Sequence, residues 1–223
     1  MLQKSLLGLL ATFVLIIPAF SQERVQELIV NGGCNYYGEP LGSKIYTFES
    51  EEAAVTAIDR ILIPTGLVRN FIIKVADVPN AAAIIYGEVR YILYNQAFMQ
   101  RVKSQTNTDW AAISIMAHEL GHHLDGHTLT RGGSRPPTEL EADSYSGFVL
   151  YKMGATLEEA QAAMKAFGSE AGSSTHPPKH SRLVAIEAGW TKAKNQDKTT
   201  PPSENQYTYH IEGYIDSGRP RFC

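Results

Sequence analysis

Residues 109–126 read DWAAISIMAHELGHHLDG, and residues 138–154 read TELEADSYSGFVLYKMG. Both stretches carry apolar residues at helical spacing. Each ends on a glycine, Gly126 or Gly154, which suits the left-handed stop of a helix. Thr138 is the expected N-cap of the second helix. The intervening TRGGSRPP is a loop, short enough to return the second helix antiparallel to the first. Four of the seven histidines, His118, His122, His123 and His127, fall within ten residues here, and Glu139, Glu141 and Asp143 follow across the loop. The apolar run WAAISIMA before them predicts a helix buried in the core that offers only one turn to a cleft.

The rest of the chain supplies the partners of this helix pair. ESEEAAVTAIDRILIPTGL predicts a helix with Ser50 as N-cap, Glu51 and Glu52 in its first turn and Pro64 as its stop. FIIKVADV and AAAIIYGEVRYILYN are rich in β-branched and aromatic residues and predict at least two strands. TLEEAQAAMKAFG predicts a helix capped by Thr156, with Glu159 completing a capping box. HSRLVAIEAGWTKAK predicts a final helix. With no internal repeat and no second core, the expected class is α+β in one domain. Residues 22–49 read as a Gly-rich irregular segment. Residues 50–195 read as the folded body, and residues 196–223 as a polar tail with one strand at YTYHIEGYI.

The composition is that of an ordinary globular protein: 43% hydrophobic, 19% charged, net charge −3. No basic stripe marks a nucleic-acid partner. Residues 1–21 have a basic start, the apolar run SLLGLLATFVLIIPAF, and Ala19 and Ser21 at the −3 and −1 positions of a cleavage site. That order predicts a secretory signal and an exported protein, periplasmic or extracellular, with no membrane span once the signal is removed. Two cysteines, Cys34 and Cys223, are left for a bridge between the two ends in an oxidising compartment.

His118, Glu119 and His122 spell H-E-x-x-H. Residues four apart share a helix face, so both imidazoles can address one ion. Glu119, about 100° round the helix, misses the ion but reaches a water beside it, which is the arrangement of a metal-bound water with a carboxylate base. A catalytic zinc needs a third protein ligand. His127, Glu139 and Glu141 are the candidates. His127 sits at the wrong spacing for the H-E-x-x-H-x-x-G-x-x-H pattern, since Asp125 and Thr128 hold its glycine and third-histidine positions. Glu139 has the stronger case, because Asp143 shares its face and can accept a hydrogen bond from a ligand imidazole. Glu141 points about 200° away and is expected to be solvated or paired with a neighbour. His123, His127, His180 and His210 are given no role.

H-E-L-G-H followed by E-L-E-A-D, then STHPP with Arg182 six residues after His176, resembles the M48 zinc metallopeptidases over about residues 50–190. The resemblance implies a zincin-like domain with a small sheet and an active-site helix packed on further helices. It implies one Zn2+ per chain on His118, His122 and Glu139, with Glu119 as general base and Asp143 behind the ligands. By the same likeness His176 would steady an oxyanion, Arg182 would lie close to the site, and Asn80-Ala81 would open an edge strand that pairs with substrate backbone. The implied activity is endopeptidase, on protein or peptide substrates. Two other readings stand beside it. One is a zinc-binding domain that captures extended peptides without cleaving them. The other is a latent protease held shut by its tail through Cys34 and Cys223.

Overall fold

The computed structural model describes residues 26–29, 33–48, 50–129 and 134–199. The signal segment, Cys223, the proposed bridge and the tail strand lie outside these residues. Six strands, β1 (Gln26–Ile29), β2 (Cys34–Asn35), β3 (Lys44–Phe48), β4 (Ile72–Ala76), β5 (Ala81–Tyr86) and β6 (Val89–Tyr94), form one mixed sheet. Their spatial order is β1-β3-β4-β6-β5-β2, with only β4 and β6 parallel. Among the described residues six α-helices complete the domain: α1 (Glu52–Leu62), α2 (Gln96–Thr106), α3 (Trp110–Leu124), α4 (Pro136–Lys152), α5 (Leu157–Phe167) and α6 (Lys179–Thr199). The α+β expectation holds.

The helical core lies between one face of the sheet and the helices. Ile73, Ala81, Ile92 and Tyr94 from the strands meet Ile58 and Ile61 of α1, Ile115 and Leu120 of α3 and Met164 of α5. Ala82, Ile84, Tyr91 and Leu93 point to the opposite face and close over Leu28 and Ile45. The alternation along β5 therefore sends neighbouring residues into two separate clusters. β5 and β6 form the hairpin that the sequence gives as one run. Its two-residue turn is made by Gly87, at φ 63°, and Glu88.

The helices behave as their local sequence dictates, with corrections at the ends. The α5 capping box forms as expected: Glu159 N–H donates to Thr156 Oγ1 at 3.2 Å and Thr156 N–H to Glu159 Oε2 at 2.8 Å. Ser50 is not the cap of α1. That position is Glu51, without a side-chain cap, and Ser50 Oγ donates instead to Ile73 O of β4 at 2.6 Å. Thr138 is not the cap of α4 either. The helix begins two residues earlier at Pro136, whose fixed φ suits a first turn, and Thr138 bonds back to Arg135 from inside it. The helix α2 has no counterpart in the sequence reading. Only Phe98 and Val102 are buried along it, too few to set a clear period, yet Asn95 caps it by accepting from Phe98 N–H at 2.9 Å.

The segment before residue 50 is not irregular. It supplies three of the six strands, including both edges of the sheet, so it belongs to the same domain as residues 50–195. Two glycines set the spacing of the helices that carry the site. A Cβ on Gly147 of α4 would lie 1.9 Å from Ile186 O, and one on Gly189 of α6 1.8 Å from Ser144 O. Only bare backbone lets α4 and α6 come this close, and their closeness brings Arg182 to Asp143.

Candidate metal centre

The H-E-x-x-H turn of α3 and the E-L-E-A-D turn of α4 meet under the sheet. Gly121 lets the two helices approach, since a Cβ there would lie 3.1 Å from Ala142 Cα. His118 Nε2 and His122 Nε2 stand 3.0 Å apart. Glu139 reaches both, with Oε2 3.2 Å from His118 Nε2 and Oε1 3.4 Å from His122 Nε2. These three residues are buried, and their ligand atoms all lie within 4.8 Å of one another. The group could hold a metal ion.

The far side of each imidazole is fixed by a partner. His118 Nδ1 lies 2.9 Å from Asp143 Oδ1, a carboxylate that can only accept, so Nδ1 carries the hydrogen. His122 Nδ1 lies 3.0 Å from His127 Nδ1, and His127 Nε2 lies 2.7 Å from Glu141 Oε2. Glu141 can only accept, so in the neutral ring His127 keeps its hydrogen on Nε2 and takes one from His122 Nδ1. In the neutral rings, the form a metal ligand must take, both chains of bonds put the lone pair on Nε2 of His118 and of His122, facing each other and a carboxylate. His127, given no role by its spacing, thus orients His122. Glu141 is paired, as expected, and its partner is that histidine. His123 turns away and bonds the sheet through Tyr91 O at 2.9 Å.

Behind these three residues lies a buried ion pair. Arg182 Nε and Nη2 donate to Asp143 Oδ2 and Oδ1 at 2.7 and 2.9 Å, a bidentate fork. The guanidinium also donates through Nη1 to Tyr36 O at 2.6 Å and lies over the Tyr36 ring, 4.9 Å from its centroid. His176 is buried in the same place. Its Nε2 lies 2.6 Å from Asn35 O and 3.1 Å from Glu139 Oε2, and Thr175 Oγ1 sits at its Nδ1.

The electrostatics follow from burial and these partners. Burial opposes charge on His118, but Asp143 and Glu139 outweigh it and raise its pKa to about 9. His122, mainly desolvated, falls to about 4. Burial also opposes the charge on Glu139, but the imidazoles of His118, His122 and His176 around it hold its carboxyl well below the usual range. Asp143 is likewise depressed against its burial, chiefly by Arg182 and then by His118. Glu119 goes the other way. Burial first, and the neighbouring Glu139 charge, push it to about 8, moderated by His118 and the Ala83 backbone. Among the described residues, neither Glu119 oxygen has a hydrogen-bond partner of normal geometry.

The strand that the family resemblance gives to substrate is placed differently from the expectation. Asn80 and Ala81 are buried, and Asn80 turns its Oδ1 back onto Ala81 N–H at 2.7 Å. β5 is not an edge there. Cys34 pairs with Ala83 and Asn35 with Ala82, and Tyr36 N–H donates to Ala81 O at 3.2 Å. The chain's own N-terminal strand occupies this side. Asn35, Tyr36 and His127 are the neighbours of the site that the sequence did not reveal. Of these, only the position of His127, five residues after His122, held a local clue.

Comparison of the chain with protein-family models, with curated proteins and with solved structures found no match. Among the described residues no helix is long and apolar enough to cross a membrane.

Proposed function

We propose that the protein is a zinc-dependent endopeptidase of the M48 kind, with zinc on His118, His122 and Glu139. The observation that carries this reading is the convergence of two imidazole nitrogens and a carboxylate on one point, with a second carboxylate, Glu119, on the position after His118 in the same helix. Two nitrogens and one oxygen favour zinc over magnesium or calcium, which take oxygen ligands. The spacing supports the same choice. Bonds of about 2.05 Å in a tetrahedron put ligands about 3.3 Å apart; here the two nitrogens stand 3.0 Å apart, with one Glu139 oxygen 3.2 Å from the first and its other oxygen 3.4 Å from the second. Three protein ligands with an open fourth position suit a catalytic rather than a structural site.

A zinc ion held there by His118, His122 and Glu139 would supply Lewis acidity, enough to polarise a carbonyl and to bring the pKa of a water towards about 7. Glu119 takes a proton from the attacking water and passes it to the leaving amine. Its burial keeps its proton affinity near neutrality, where a group must both accept and release a proton within one turnover. Asp143, itself fixed by Arg182, holds His118 with its Nε2 lone pair forward, and His127 does the same for His122. His176 Nε2–H is a donor that can turn to the substrate carbonyl oxygen as charge develops on it.

The test is Glu119→Gln. It should retain metal and lose hydrolysis of a denatured protein substrate, while His176→Ala should cost about 10²-fold in kcat, the scale of one lost oxyanion donor. A Glu119→Gln protein that cleaves as well as the parent would remove Glu119 from the role of base. Export stays part of the proposal, resting on residues 1–21. The mature N-terminus should then be Gln22, and an intact Met1 on exported protein would refute it.

A further inference from the structure

His118, Glu119, His122 and Glu139 are each 0% exposed. A peptide cannot reach such a group without something moving, and the contacts identify what lies in the way. The segment from Gly33 to Gly38 runs along β5 in the place where an extended peptide would add itself to the sheet. Cys34 and Asn35 pair antiparallel with Ala83 and Ala82. The Asn35 carbonyl takes the hydrogen bond of His176 Nε2–H at 2.6 Å, as a substrate carbonyl would. The Tyr36 ring stands edge-on to His118 at 4.9 Å, and the Tyr36 carbonyl takes Arg182 Nη1–H at 2.6 Å.

We propose that Gly33–Gly38 is the groove's own occupant, an internal strand that keeps the site latent until it is displaced. This rests on the peptidase reading of the same site. The segment carries its own means of seating. Asn35 Oδ1 accepts from Tyr37 N–H at 3.1 Å and from Gly38 N–H at 2.9 Å, closing a turn. Gly38 has φ +82°, and a Cβ on it would fall 2.5 Å from His176 Nδ1. A side chain there would lift the turn off the histidine. Because the occupant is tethered, it competes at an effective concentration on the order of millimolar, enough to exclude a peptide present at micromolar levels. Cys34, buried at 0% exposure against Ala83, becomes accessible only when the strand leaves.

The experiment uses zinc-loaded protein carrying Cys223→Ser, so that Cys34 is the one thiol. Asn35→Ala removes the turn's acceptor, and Gly38→Ala removes its fit. Maleimide labelling of Cys34 and binding of a fluorescein-labelled copy of residues 33–40, with serine at its cysteine, are measured in the parent and both variants. Labelling about tenfold faster and peptide binding about tenfold tighter in the variants, the scale of one lost cap, are the expected results. Wild type binding the peptide as tightly as the variants would overturn the proposal. So would a variant that melts like wild type and labels no faster, or one that labels faster without taking up peptide. If Gly38→Ala fails to fold, Asn35→Ala decides alone. Casein hydrolysis is read alongside, with and without Glu119→Gln. Peptide uptake without Glu119-dependent cleavage would leave the occupant in place and sink the peptidase reading instead.

Discussion

Replacing Arg182 with methionine keeps much of the side-chain volume and removes the charge. Arg182 is 3% exposed and Asp143 1%, so the variant leaves a carboxylate in the interior without its partner. Breaking a buried pair on one side costs about 3–5 kcal/mol, a large part of a typical stability of about 5–15 kcal/mol. In urea, with a slope near 2 kcal/mol per molar, the unfolding midpoint of metal-free protein should fall by about 1.5–2.5 M. The loss has a pH signature. The folded-state pKa of Asp143 is held below its ordinary value, so the pair contributes stability above about pH 3.9 and loses it as the pH falls further. The gap between wild type and Arg182→Met should therefore be full at pH 7 and narrow towards pH 3. Adding Asp143→Asn to Arg182→Met should recover part of the loss, because the orphaned charge is gone. A loss under about 1 kcal/mol at pH 7, or a gap independent of pH, would refute the view that this pair braces the site.

His127→Ala should weaken metal binding about 10–100-fold while leaving the ligands in place. Unchanged affinity in a metal titration would show that His122 is oriented without it. Metal binding at pH 7 should release at least about one proton, because His118 near 9 and Glu119 near 8 hold protons in the empty site that a cation displaces. Affinity then rises as pH increases from 6 to 8. Calorimetry in buffers of different ionisation enthalpy measures the release, and a value of zero would contradict the electrostatic picture. Thr156→Ala should cost about 1 kcal/mol and lower the melting temperature by about 2–4 °C. No shift would mean that the α5 cap contributes nothing.

The candidate metal centre was legible because helical periodicity alone brings its parts together. His118 and His122 are four apart on α3, and Glu139 and Asp143 are four apart on α4, so two local patterns and one short loop suffice. Glu139, rather than Glu141, follows from the same geometry. What covers the site was not legible. Asn35 and His176 are 141 residues apart and Tyr36 and Arg182 are 146, and no local pattern encodes such contacts. The strand β2 is only two residues long, extended because β5 offers it hydrogen bonds rather than through its own propensity. Residues 23–42, rich in glycine, therefore read as irregular although they contribute β1 and β2. Ser50 and Thr138 were good caps by type, but each found a different partner once β4 and Arg135 were in place.

The most direct test of the metal centre is the zinc content of purified protein by elemental analysis, with Glu139→Ala measured beside it. About one zinc per wild-type chain, strongly depleted in the variant, is the predicted result. A well-folded wild type that holds no zinc even after zinc is supplied would contradict the account at its base.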